Sequence, residues 1–174
     1  ALGLLALMLL HDSRRGARVD EHGGFVPLDR QDRSRWDQGR VREGLRTLDR
    51  ALEQRRPGPY QLQAAIAALH AQAPGWEQTD WARIAQFYEA LGRVAPSPVV
   101  EVNRAVAVGY AQGPAAGLDL LEPLVRADTL AEYQPLHAAH AELLRRAGDR
   151  AGAADAYRRG IELSTNDVER AELE

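Results

Sequence analysis

A chain of 174 residues with 22 basic side chains, all arginine, against 25 acidic ones has a net charge of −3, which disfavours a protein that must neutralise phosphates by itself. It holds no cysteine, so disulfide frameworks, thiolate zinc sites and cysteine nucleophiles are excluded. Alanine and leucine make up roughly 30% of the chain while strand-forming residues are scarce, so residues 1–174 read as one all-α domain or one array of small helical repeats.

The almost wholly apolar run from Ala1 to Leu10 has no basic region before it and is too short to cross a bilayer, so it reads as a buried helix spanning 1–13. A chain that starts in mid-helix without Met reads as a fragment of something longer. Residues 13–35 form the one long irregular segment, with Gly23-Gly24 and many charges, ending at Trp36 as an apolar anchor. Helices are expected over 36–55, 59–73, 79–94, 98–112, 114–126, 133–146 and 150–163, with a last one from about 167 begun by Asn166. Gly58-Pro59, Ser97-Pro98 and Gly113-Pro114 each place a cap residue before a proline suited to the first helical turn. Pro123 is expected to kink or shorten its helix.

Paired helices of this length call for a search for an internal period. Ala141, Leu144, Gly148, Ala153, Tyr157 and Gly160 follow the tetratricopeptide order of small, large, turn, small, aromatic and small residues. Ala105, Val108, Gly117, Leu121 and Leu124 repeat most of that pattern upstream. The expected fold is a tetratricopeptide-like right-handed α-solenoid of about four helix hairpins, in which the small residues let paired helices approach closely.

The segments HDSRR at 11–15, LDRQDRSRWD at 28–37, GPYQLQAAIAALHA at 58–71, TDW at 79–81, APSPVVEVNRAVAV at 95–108 and GPAAGL at 113–118 form a series. This series resembles the C-terminal extension of group 42 extracytoplasmic-function RNA polymerase sigma factors, of the sigma-24-like type, and the resemblance covers nearly the whole chain. It implies a cytoplasmic, non-membrane domain in bacterial transcription initiation. Its partners would be sigma regions 2 and 4 of the same chain and core RNA polymerase, with promoter DNA reached only through those regions, neither of which has a counterpart in these 174 residues.

No nucleophile, base or phosphate loop stands in a supporting constellation, so the chain reads as non-enzymatic, with no cofactor, catalytic residue or metal site. His137 and His140 share a helix face but lack further ligands, and the Asp20-Glu21-His22 run reads as a solvated loop. Two candidate binding sets remain. Gln61, His70, Asn103, Arg104, Glu142 and Arg145 are polar residues on first helices of hairpins, which in such solenoids line the concave groove. His11, Asp12, Arg14 and Arg15, with Asp32 and Arg33, form a loop edge that clamps the insertion or presents a binding surface. The alternative to contact with sigma regions is a sensor of a small ligand or peptide.

Overall fold

The computed structural model describes residues 1–53, 57–127 and 130–164. It is all-α: eight α-helices and no named strand are found among the described residues. The chain divides into two compact units, the first comprising Ala1–Asp80 with Arg93–Ala95, the second Trp81–Gly92 and everything from Pro96 onward. None of the helices is long and apolar enough to cross a membrane, among the described residues.

In the first unit, α1 (Leu2–Asp12) packs against α2 (Gln38–Leu52), and α3 (Pro59–Gln72) packs against both. Close approach depends on small residues. Ala6 is fully buried, and a Cβ at Gly44 would sit 2.8 Å from Leu10 Cγ, so the Leu10 side chain of α1 packs directly on the α2 backbone at that point. The Asp37 carboxylate starts α2 by accepting from the Arg40 N–H at 3.0 Å. Trp36 is 4% exposed and anchors the end of the insertion, as its position suggested.

In the second unit, α4 (Trp81–Val94, its last two residues grouped with the first unit) precedes α5 (Pro98–Gln112), α6 (Pro114–Arg126), α7 (Gln134–Ala147) and α8 (Arg150–Leu163). The pairs α5 with α6 and α7 with α8 are packed hairpins, and α6 also packs on α7. The three prolines expected to open helices do so, and Ser97 Oγ accepts from the Val99 N–H at 3.3 Å. Ala105, Leu121 and Ala141 are fully buried and Ala153 nearly so, while Gly148 turns the last hairpin with φ 89°. Trp81 stacks on Tyr110 with ring centroids 4.5 Å apart, and the Arg146 guanidinium covers the Tyr110 ring at 4.0 Å.

Two expectations need correction, and one lies outside the described residues. The first helix is not wholly buried: Gly3, Ala6, Leu9 and Leu10 face the core, whereas Leu4, Leu5 and Met8 are exposed. The second helix begins at Gln38 rather than Trp36, because Asp37 supplies the cap. Pro123 does not shorten α6, which runs to Arg126 as its expected bounds had it; the proline removes one intrahelical N–H bond. The helix expected from about 167 lies outside the described residues.

Candidate functional site

The insertion of the first unit folds into a defined structure. Ser13 closes α1, its buried hydroxyl donating to Leu10 O at 2.7 Å, and its carbonyl accepts from the Asp37 N–H at 2.7 Å, so the two ends of the insertion are joined. The chain then makes a 3-10 turn at Arg15–Ala17 and an antiparallel bridge between Val19 and Phe25. Asp20 organises the bend between them, its Oδ1 accepting from His22 N–H at 2.8 Å and Gly24 N–H at 2.7 Å, while Gly23 supplies a φ of 82°. These bonds hold the Asp20 carboxyl below the usual carboxylate range, the Gly24 N–H contributing most. The bridge is completed by Val26 N–H donating to Arg18 O at 2.8 Å, which sets Phe25 beside Arg18.

The result is a cavity of about 470 Å³ lined by His11, Arg14, Arg18, Phe25, Leu28 and Gln31. Its polar wall is cationic. Arg14 and Arg18 each place a guanidinium nitrogen on His11 Nδ1, at 3.2 and 3.4 Å, and Arg18 also donates to the His11 carbonyl at 3.1 Å. Burial, then Arg14, then Arg18 hold the His11 pKa down to about 4, so the ring is neutral at pH 7. With Nδ1 accepting from arginines, the neutral ring carries its proton on Nε2. Burial, and the Arg18 charge beside it, bring the Arg14 pKa down to about 10. Among the described residues neither Arg14 nor Arg18 has a carboxylate in ion-pair range. Gln31 is 7% exposed and donates from Nε2 to Val26 O at 2.9 Å, leaving its Oε1 without a partner.

Arg33 ties the other end of the insertion to α3. Its Nη1 donates to the carbonyls of His70 and, at 2.9 Å, Ala73, its Nη2 reaches Thr79 Oγ1 at 3.5 Å, and the guanidinium lies 5.3 Å from the Trp36 ring centre. His70 lies in the last turn of α3 and Ala73 is its C-cap, so this side chain satisfies orphan carbonyls at the negative end of a helix. His70 stacks on Trp76 at 6.0 Å. Burial first, then the charges of Arg33 and Arg14 and the His11 ring, push the His70 pKa down to about 4.

A pH dependence follows. The unfolded chain titrates these histidines near 6.5 and the folded one near 4, so between those values the unfolded state binds more protons and stability rises with pH. Lowering the pH from 7 to 4.5 is therefore expected to cost the first unit on the order of 2 kcal/mol through His70. Melting temperatures at the two pH values check this: the drop should be clearly smaller in His70→Gln, and an equal drop would refute the assignment.

The other loop-edge residues serve the frame. Asp12 pairs with Arg40 at 2.8 Å, Arg15 is exposed, and Asp32 Oδ1 accepts from the Ser34 N–H and hydroxyl at 2.9 and 2.7 Å. The groove set is divided between the two units. Gln61 and His70 belong to the first unit, where Gln61 Oε1 accepts from Gly58 N–H at 3.3 Å and so caps its own helix. Asn103, Arg104, Glu142 and Arg145 belong to the second unit. Asn103 is exposed, Arg104 pairs with Glu101 at 3.0 Å, and Glu142 takes a two-pronged bond from Arg145 at 2.8 Å while accepting from Tyr157 Oη at 3.3 Å. His137 shares a 2.8 Å hydrogen bond with Ala131 O, the local role expected of it. Arg18, Phe25, Leu28 and Gln31 were missed by sequence reasoning; the unpaired arginine excess of 11–18 was the available signal.

Residues 1–52 match the model of a family of unknown function, DUF6596. That stretch spans α1, the whole insertion and all of α2, and so contains every residue lining the cavity. The chain is also similar to the uncharacterized protein R00370 of Rhizobium meliloti (strain 1021), 48% identical over 170 residues. The match covers 98% of this chain and 40% of that protein, so the chain spans well under half the length of this curated relative. No solved structure matches it.

Proposed function

We propose that this chain is a non-enzymatic regulatory and interaction domain of an extracytoplasmic-function sigma factor. It works in the bacterial cytoplasm, controlling when sigma regions 2 and 4 of the same polypeptide engage core RNA polymerase and, through them, promoter DNA. The observation that carries an interaction role is the outer face of α1, where Leu4, Leu5 and Met8 are 39%, 47% and 60% exposed. Large apolar side chains grouped on one helix favour a protein partner, because covering them removes apolar area from water. The motif series from HDSRR to GPAAGL supports the sigma assignment, and the greater length of the Rhizobium protein accommodates additional regions.

The test is direct mixing. Separately purified sigma regions 2 and 4 from the factor that carries this domain are expected to bind it in calorimetry. Leu5→Asp/Met8→Asp should weaken binding by about tenfold or more, equivalent to about 1.4 kcal/mol. The same substitutions should leave the melting temperature nearly unchanged, since exposed positions cost little. Absence of binding by both regions, or an affinity indifferent to the double substitution, would refute the reading.

A further inference from the structure

We propose that the cavity of the insertion is a binding site for a small organic anion, a carboxylate or phosphate carried on an apolar body. This inference is independent of the sigma assignment and rests on the site alone.

The cavity combines three features that a solvated surface lacks. Two guanidinium groups, Arg14 and Arg18, converge on one wall with no carboxylate to neutralise them among the described residues. Placing two cations within reach of one imidazole is costly unless an anion completes the cluster. The neutral His11 ring keeps the two guanidiniums in register by accepting from both, and it has an Nε2–H left to donate. Phe25 and Leu28 line the same cavity, with Phe25 51% exposed although its bridge to Val19 fixes its backbone. A large ring held in that position offers an apolar surface to a ligand. The buried Gln31 is anchored through Nε2 and keeps one acceptor oxygen unsatisfied, which is costly for a wall with only a structural role.

The volume of about 470 Å³ suits a ligand of roughly ten to twenty heavy atoms, within the usual range of small-molecule sites. Charge-assisted bonds from planar guanidinium groups select carboxylate or phosphate, and the apolar wall selects against the bare ion. The backbone around the cavity is set by the Asp20 turn and by the Ser13–Asp37 tie, so the site is formed before the ligand arrives.

The experiment titrates the whole chain with phenyl phosphate, phenylacetate and inorganic phosphate at near-neutral pH and physiological salt. It follows the side-chain Nε–H signals of Arg14 and Arg18 by NMR. Saturable shifts of both signals by phenyl phosphate, phenylacetate or both are expected, and which of the two acts identifies the head group. Inorganic phosphate should bind at least about fivefold more weakly, for want of the apolar contact. Arg14→Gln/Arg18→Gln should weaken the organic anion by about tenfold to a hundredfold. Should that variant fail to fold, Phe25→Ala provides the second arm: it should erase the preference over inorganic phosphate while leaving the arginine shifts.

Failure of both organic anions to bind would overturn the proposal. So would equal binding of inorganic phosphate, which would indicate an adventitious ion only. If neither small anion binds but the arginine variant abolishes capture of sigma region 2 or 4, the cluster belongs to a protein interface instead. In that case the sigma reading stands while this one falls.

Discussion

Replacing Gly117 by valine is expected to unfold the second unit at temperatures where the native chain is intact. A Cβ at this position would sit 2.8 Å from Ala105 O, 2.8 Å from Gly109 Cα and 3.0 Å from Leu143 Cδ1. Two of these three atoms are backbone of α5, which cannot step aside without pulling Val102 and Ala105 out of the core they share with Leu121, Leu136 and Leu143. Overpacking a close helix crossing costs typically 1–3 kcal/mol, and with backbone on the receiving side the loss should reach about 3 kcal/mol or more. Gly16→Ala is the matched control, since a Cβ there meets only Arg35 O at 3.9 Å and should change stability by less than about 0.5 kcal/mol. Thermal or urea melts of both variants decide it, and an unchanged transition for Gly117→Val would mean that α5 and α6 do not cross at this point.

Arg33→Met is the second large effect. The methionine keeps much of the apolar stem beside Trp36 but abandons the carbonyls of His70 and Ala73 and the hydroxyl of Thr79. Bonds from a charged donor are worth about 1.5–3 kcal/mol each, and the carbonyls left behind at the end of α3 must find water instead. A loss of about 2–4 kcal/mol is expected, with increased hydrogen exchange over both 33–37 and the end of α3. Arg33→Lys should recover only a minority of it, because a point charge cannot reach two carbonyls and a hydroxyl in the fork that arginine provides. Loss confined to the insertion, with α3 unaffected, would refute the clamp.

Much of the fold was legible because its determinants are local. Pro59, Pro98 and Pro114 each open a helix, since the missing N–H falls where no intrahelical partner exists. The small residues Ala105, Gly117, Ala141 and Ala153 lie buried where the repeat spacing placed them, because close helix crossings tolerate little else. Trp36 announced its burial by being the only large apolar side chain at the end of a charged loop. Pro123 leaves the length of α6 as expected, because the loss of one N–H bond is outweighed by the packing of α6 on α5 and α7.

The candidate site was legible only in part. His11, Arg14 and Arg33 stand out as charges on an insertion, but their grouping with Phe25 and Gln31 depends on a bridge and an Asp turn that bring distant positions together. The groove set shows the complementary limit of sequence reading. Helical periodicity tells which face a residue occupies, yet Gln61 and Glu142 spend their polar atoms on caps and ion pairs that periodicity does not register.

The insertion also sets the order of events as the chain folds. In the second unit α5 meets α6 across Gly113 alone, and α7 meets α8 across Gly148 and Asp149, so each hairpin closes a very short loop. In the first unit α1 reaches α2 only after the whole insertion has been spanned, and reaches α3 only beyond α2 as well. Closing longer loops costs more chain entropy before any contact rewards it, and folding slows as contacting residues lie further apart in sequence. The half that leaves the ribosome first is thus the half with the slower topology, and α1 spends the interval with its apolar residues unburied. Chaperone attention during synthesis would fall on that helix.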